Sequence, residues 1–527
     1  MERPPQPWYG QRPPQPWYGQ RPPQQRVPDN PYAPEGYTPT PPPAPARRRR
    51  LGGGPVIAGI VALLLLAGVG AYAVRSDRQG RADAPPVATG TATPSGTPAT
   101  PRTPAVRTPV PERIPTTEEI NAGRAPGDAT GWIVDDRADL PRRTVWLHDL
   151  WIVGDTVVQA VYRKVVAHRL SDGAEVWSLP LPAPVCETPV HPTPDGKVVV
   201  VYKSSQAENG NRCNQLRMID LRTGKVGWDK ELTETGSGDD TIIVHTAISG
   251  GVLAIARSLK ATAYRVADGA ELYDIPVENP GKCYPDDVAG GARLLVVSDC
   301  AIGVDRSKTY GQVREIDPST GKVLWRHRTQ QGWQIGKVLS TDPAVLTTLH
   351  AEERAKNWRV VSLGPGGALR TTIDAREKGF EYCADSGDAG EGVQNCPGTL
   401  VDRRAVYLGG TERVGAYDLG TGKLLWGVKA GEGDLLHPIA AEEGARALVY
   451  EVPRSGRPGG VIRLGPGGAD TKEQVLRHPA PARSAESGML AGKLAHARGR
   501  IVITPSHVDG DDARHKARML SFAPEGS

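Results

Sequence analysis

One nine-residue line is written three times in this chain: DLRTGKVGW at 220–228, DPSTGKVLW at 317–325 and DLGTGKLLW at 418–426. Asp, Thr-Gly-Lys and Trp keep the same internal spacing in all three. A phosphate-binding loop would carry a further glycine five positions earlier and would open a helix. Here strand-like residues follow the Gly-Lys pair, so the line is an architectural unit and the chain folds as a repeat.

The turn glycines of that unit recur as Gly173, Gly224, Gly269, Gly321, Gly367, Gly422 and Gly468, with APEGS at 523–527 as a truncated eighth copy. Their spacings of 51, 45, 52, 46, 55 and 46 residues define a period near fifty, which indicates a propeller or an array. Within one unit four strands are predicted. Over 186–232, CETPVHPT precedes a PDG turn, KVVVVYKSS follows it, and QLRMIDL and VGWDKEL flank the RTGK turn. Apolar positions alternate with period two and turn residues separate the runs. Four antiparallel strands per unit, repeated around a ring, make the blades of a β-propeller. Glycine supplies the positive φ of the turn, and Trp at offset four gives each blade an apolar plate to lay on its neighbour.

The full motif A-x-D-x-x-T-G-K-x-x-W stands at Ala416, Asp418, Thr421, Gly422, Lys423 and Trp426. From the Asp onward it recurs at Asp220, Thr223, Gly224, Lys225 and Trp228, and at Asp317, Thr320, Gly321, Lys322 and Trp325. SDGAEVW (171–177), ADGAELY (267–273) and two LGPGGA segments (363–368 and 464–469) are partial copies. This motif resembles the repeat of pyrroloquinoline-quinone-type (PQQ-like) β-propellers. The resemblance implies an all-β PQQ-like propeller over 130–527. Eight blades result if GWIVDD (131–136) lends the fourth strand to the last unit; seven is the alternative.

Quinone-dependent members of the superfamily hold a quinone, a calcium site with acidic ligands and commonly two adjacent cysteines. No two cysteines are adjacent here. The chain is therefore expected to belong to the non-quinoprotein branch, with no cofactor and no catalytic residue assigned. Non-enzymatic members grip peptides or proteins, so a protein or peptide partner on the propeller is expected. The competing expectation is an extracytoplasmic oxidoreductase or hydrolase with its site in the funnel.

Four histidines, His148, His191, His245 and His437, fall in or near the first strands of their units, the strands that line a propeller's channel. Their offsets differ, and they are expected to be singly satisfied. The acidic run DGDD (509–512) lacks the EF-hand pattern and is expected to be a solvated loop tip.

Residues 1–50 hold eight Arg against three acidic residues, which accounts for the whole net charge of +5. A neutral main body excludes nucleic acid as a partner, because phosphate binding needs clustered Lys and Arg. The tail repeats PPQPWYGQR at 4–12 and 13–21, and proline at this density favours a solvated, disordered spacer. Trp8, Tyr9, Trp17 and Tyr18 could anchor a cytoplasmic partner. Residues 51–74 carry no charge over 24 positions, enough to cross a bilayer core of ~30 Å at ~1.5 Å per residue. AYA at 71–73 resembles a signal-cleavage site, but the 50 residues ahead of the apolar run favour an uncleaved anchor. Four Arg precede the span, and all six cysteines follow it. The N-terminus is thus expected in the cytoplasm and the propeller outside the cell membrane. Residues 75–129, rich in Thr, Pro and Ala, are expected to form a disordered tether.

Cys186, Cys213, Cys283, Cys300, Cys383 and Cys396 form no zinc-type pair at short spacing and admit fifteen disulfide pairings. The blade order implied by the resemblance selects one. The start of a first strand and the end of the second lie at the same end of a blade. Each cysteine is therefore expected to join its nearest neighbour in sequence, all on one face, each link adding roughly 3 kcal/mol. Peptide mapping without reductant should recover the pairs 186–213, 283–300 and 383–396; crosswise linkage would overturn the strand order.

Overall fold

The computed structural model describes residues 113–526 apart from 137–139, 207–211, 237, 279–281, 301–304, 377, 384–391, 455, 490–491 and 512–514. The predicted tail, the span at 51–74 and the tether up to residue 112 lie outside the described residues. Among the described residues no helix is long and apolar enough to cross a membrane.

Strand β1 (Thr130–Val134) comes first in the chain. Unit I follows as β2 (Thr144–Val153), β3 (Thr156–Val161), β4 (Lys164–Arg169) and β5 (Glu175–Pro180). Unit II is β6 (Val185–Glu187), β7 (Lys197–Tyr202), β8 (Gln215–Asp220) and β9 (Lys225–Glu231). Unit III is β10 (Val244–Ser249), β11 (Val252–Arg257), β12 (Lys260–Arg265) and β13 (Glu271–Ile275). Unit IV is β14 (Tyr284–Ala289), β15 (Leu294–Cys300), β16 (Tyr310–Ile316) and β17 (Val323–Arg328). Unit V is β18 (Trp333–Thr341), β19 (Ala344–His350), β20 (Arg354–Leu363) and β21 (Leu369–Ile373). Unit VI is β22 (Thr399–Val401), β23 (Ala405–Leu408), β24 (Arg413–Asp418) and β25 (Leu424–Lys429). Unit VII is β26 (Leu436–Glu442), β27 (Arg446–Glu451), β28 (Gly460–Gly465) and β29 (Gly468–Arg477). The last unit runs β30 (Leu494–Ala497), β31 (Arg500–Ile503) and β33 (Met519–Ala523), and β1 completes it. Between them β32 (His507–Asp509) leaves to pair with the start of β2.

Every unit is an antiparallel meander, and units IV and V touch through one parallel bridge between Tyr310 and Trp333. First strands of successive units meet side by side: β2 with β6, β6 with β10, β10 with β14, β18 with β22, β22 with β26, β26 with β30, and β30 with β2. At units IV and V the contact passes through β15 and β18. The series returns on itself, so the sheets stand around an axis as propeller blades do. Second strands are buried on both faces, as in β3 and β11, where all six residues are inside. Fourth strands alternate, as in β17. That gradient is what blades sandwiched between neighbours require.

The repeated motif holds the units together by a contact across each boundary. A methyl group placed on Gly224 would meet the ring of Trp177, in the preceding unit, at 2.7 Å. A methyl added to Gly173 would meet Trp132 at 2.7 Å, one on Gly269 Trp228 at 3.0 Å and one on Gly321 Tyr273 at 2.7 Å; one on Gly367 would come closer still to Trp325. Each ring of one unit lies flat on the turn glycine of the next. The indole N–H of Trp132 donates to the Leu170 carbonyl at 2.9 Å, and that of Trp228 to Val266 at 2.8 Å. Asp and Thr of the motif shape the turn beneath. One Asp418 oxygen accepts from the backbone N–H groups of Gly420 and Thr421, and one Asp317 oxygen from those of Ser319 and Thr320. Asp220 accepts from the Arg222 N–H, and Thr223 accepts from the Lys225 N–H. The plate fails at three boundaries: Thr371 stands where a ring would cover Gly422, Trp426 donates to the Ala445 carbonyl at 2.6 Å and leaves Gly468 without a ring, and a methyl added to Gly526 would meet nothing within 4 Å.

Two expectations need correction. Within the tether predicted over 75–129, residues 117–122 form helix α1 (Thr117–Ala122) with Ile120 buried. Thr116 and Glu119 cap it reciprocally, a signal legible as T-x-x-E. The strand predicted over CETPVHPT shrinks to Val185–Glu187, because Pro189, Pro192 and Pro194 offer no N–H to a ladder.

Gly224 has φ +71° beneath a ring, whereas Gly444 has φ +77° with nothing within 4 Å of its added methyl. Gly224→Ala should therefore cost about 2–4 kcal/mol, the sum of left-handed strain and overpacking, and Gly444→Ala only about 1–2 kcal/mol. Denaturant midpoints for the two variants check this, and equal losses would dismiss the plate.

Candidate functional site: a charged channel wall

First strands in a propeller face the axis, where apolar side chains are expected. Charges interrupt several of them. In β2, Asp149 stands amid WLHDLWIV with only 5% of its surface exposed. Its carboxylate is paired with the ammonium of Lys493, which arrives just ahead of β30. It also accepts the hydroxyl of Thr188 at 3.1 Å, and that hydroxyl accepts the Asp149 N–H. From β6, one oxygen of Glu187 accepts the backbone N–H of Thr246 in β10 at 3.2 Å. In β14, the two oxygens of Asp287 accept the N–H groups of Val288 at 2.6 Å and Val393 at 3.0 Å. The imidazole of His245 lies 3.7 Å from Asp287.

Burial sets the protonation of this wall. Glu187 is held well above the usual carboxylate range by loss of solvent, and Asp287 and Asp149 add repulsion. Asp287 is pushed up to about 6 for the same first reason, against the attraction of His245. His148 falls to about 4 because it is buried and Lys493 is near. At neutral pH its ring is uncharged and Nε2 donates to the Val185 carbonyl at 3.2 Å.

Residues 392–397, just before Thr399 opens β22, line two cavities and are fastened to units IV and V. Gln394 exchanges two hydrogen bonds with the backbone of Gly290, at 2.7 and 3.1 Å. Val338 donates to the Val393 carbonyl at 2.8 Å, and Lys337 to the Gly392 carbonyl at 2.9 Å. Among the described residues the two cavities, of about 290 and 300 Å³, adjoin these groups. Leu147, Asp149, Val190, Gln394, Asn395 and Lys493 form a wall common to both. In the second, Tyr450 donates to Glu486 at 2.7 Å, and His478 lies 2.7 Å from the same oxygen. The mouth of the first carries Trp146, 46% exposed and edge-on to His507, and Ile242 and Ile243 stand 64% and 55% exposed just ahead of β10.

The sequence-selected residues take several places. Cys186 joins Cys213, Cys283 joins Cys300, and Cys383 joins Cys396, each near the leading end of a first strand. Asp220, Thr223, Gly224, Trp228 and their counterparts lie in the outer turns, away from the channel. His148 lines the first cavity and His437 the second. His191 stands in the loop after β6, packed beside Gly291. Among the described residues, no three His, Cys, Asp or Glu converge as a metal's ligand set. Nor does this wall suit a calcium-bound quinone: Lys493 occupies Asp149, and backbone N–H groups occupy both oxygens of Asp287. Asp509, expected at a solvated tip, is instead 2% exposed, because β32 is pinned against β2. Asp149, Glu187, Thr246, Asp287 and Lys493 were not selected from sequence. For Asp149, Glu187 and Asp287 the one legible mark is a charge inside a first strand; Thr246 and Lys493 carry none.

Residues 117–283 match the family described as outer membrane protein assembly factor BamB. No curated protein sequence matches the chain. Among solved structures, BamB from Moraxella catarrhalis is 15% identical, covering 75% of this chain and 98% of that one, with a TM-score of 0.43. The computationally designed Ika8 protein is 12% identical over 73% and 98%, with a TM-score of 0.46. The quinohemoprotein alcohol dehydrogenase ADHIIG from Pseudomonas putida HK5 is 12% identical over 75% and 76%, with a TM-score of 0.44. The matched family and the sheet order agree on an all-β, PQQ-like propeller.

Glu187 binds its proton more tightly when folded, so it removes stability as pH rises from about 4, its unfolded value, through its folded one, and has no effect below. Glu187→Gln should thus stabilise the protein at pH 7 and leave it nearly unchanged at pH 4. Thermal midpoints at the two pH values check the difference.

Proposed function

We propose that this is a single-pass membrane protein that presents an eight-bladed PQQ-like propeller outside the cell as a protein- or peptide-binding scaffold. The observation that carries it is the mouth of the first cavity, where Trp146 stands exposed beside a lining of Asp149, Glu187, Thr246 and Lys493. An aromatic anchor beside a pocket with a few oriented polar groups is what peptide recognition uses. The match of residues 117–283 to an assembly factor supports a protein partner. Eight four-stranded units, with β1 completing the last, support eight blades over seven. The uncharged run at 51–74, the four Arg before it and the disulfides after it support one span with a cytoplasmic N-terminus. The Pro-rich tail, with its four aromatic residues, is then free for a cytoplasmic partner.

A photo-crosslinking residue placed at Trp146 on whole cells should capture a discrete partner. The same residue at Leu424, more exposed than Trp146 but on the outer strand β25, should not. Equal capture at both, or at neither, would refute the channel mouth as the binding face.

A further inference from the structure

The first cavity holds one carboxyl group that no ion pair engages among the described residues. Asp149 has Lys493, and Asp287 has two backbone donors with His245 beside it. Glu187, 8% exposed, forms no ion pair among the described residues and uses one oxygen to accept the Thr246 N–H. The hydroxyl of Thr246 is independently unspent. Thr246 is 5% exposed, lines the same cavity, and its Oγ1 has no hydrogen-bond partner. A buried hydroxyl without a partner costs free energy that a bound ligand recovers. The hydrogen bond from the Thr246 backbone to Glu187 holds both acceptors in one corner of the cavity.

We propose that this corner receives an alkylammonium group, seated between the Glu187 carboxylate and the Thr246 hydroxyl. The inference rests on the channel being a ligand-binding one, and it names the chemistry of the ligand. An ammonium has three donors around a compact charge, and the corner offers point acceptors without the parallel pair that a planar guanidinium prefers. The rest of the wall suits a hydrocarbon stem, since Leu147, Val185, Val190, Val288 and Val393 line the same cavity. A lysine side chain of a peptide and a free alkylamine share this chemistry. Burial, with the neighbouring carboxylates Asp287 and Asp149, raises the proton affinity of Glu187, and an arriving cation opposes that rise, so binding is coupled to proton release. Lys493, His148, Arg143 and Lys203 also face the cavity. Lys493 is committed to Asp149, and His148 is uncharged at neutral pH.

Titration calorimetry on the full-length protein in detergent distinguishes the cases. The probes are n-butylammonium, the tripeptide acetyl-Ala-Lys-Ala-amide and its Nε-acetylated form. Both amines should bind, with heat that depends on buffer ionisation, and the acetylated peptide should not. Tighter binding of the tripeptide assigns the site to peptides; equal binding assigns it to free amines. Glu187→Gln should weaken binding roughly tenfold or more, and Thr246→Val by a smaller factor. Unaltered binding to Glu187→Gln, with a thermal midpoint at or above that of the parent, would overturn the proposal. So would failure of both amines to bind at millimolar concentration. In either case, capture of a partner through position 146 would leave the scaffold reading standing, and loss of capture would remove both.

Discussion

An aromatic ring lying flat on a glycine of the neighbouring unit is the interaction on which the rest of this structure depends. It acts on both partners. The ring gains a dry face, and the glycine is fixed because any side chain would enter the ring. The contact also needs the turn beneath it to keep one shape, which the motif Asp and Thr supply by taking up the turn's N–H groups. Three motif positions therefore serve one boundary, and their repetition propagates the same spacing from Trp132 through Trp325. Where Thr371 replaces the ring, the sheets continue without it, and hydrophobic packing among Val406, Leu408, Tyr417 and their neighbours carries the boundary.

This division explains what could be read from the sequence. Boundary contacts recur, so the turn glycines and Trp228, Trp325 and Trp426 disclosed the period and the strand order. GWIVDD was legible as a missing outer strand because Trp132 carries the same plate. Helix α1 escaped because its capping residues sit in a Pro-rich neighbourhood that reads as tether. The shortening of β6 was visible in principle, in three prolines within six residues.

The channel wall obeys no repeat. Asp149 lies in the middle of β2, Glu187 at the end of a three-residue strand, and Asp287 next to a bulge in β14. Lys493 precedes its strand altogether. They meet only because first strands from distant units converge on one axis, and a single sequence carries no sign of that convergence. Histidines stand out in a sequence by residue type alone. The carboxylates carry more of the site's electrostatics, yet in sequence they are indistinguishable from the many carboxylates at the surface.

The pairing of β1 with β33 has a consequence for how such a chain is made. Thr130 and Ala523 are partners across 393 residues. Until β33 has been synthesised, β1 has no ladder, and Trp132 covers Gly173 without the sheet that positions it. Every intermediate of translation is thus an open arc in which β1 stays an unpaired strand. Arcs with free edges invite pairing between copies, and the closing strand ends that hazard. Ring closure is in this sense a completeness check: a chain interrupted late exposes the same flaw as one interrupted early.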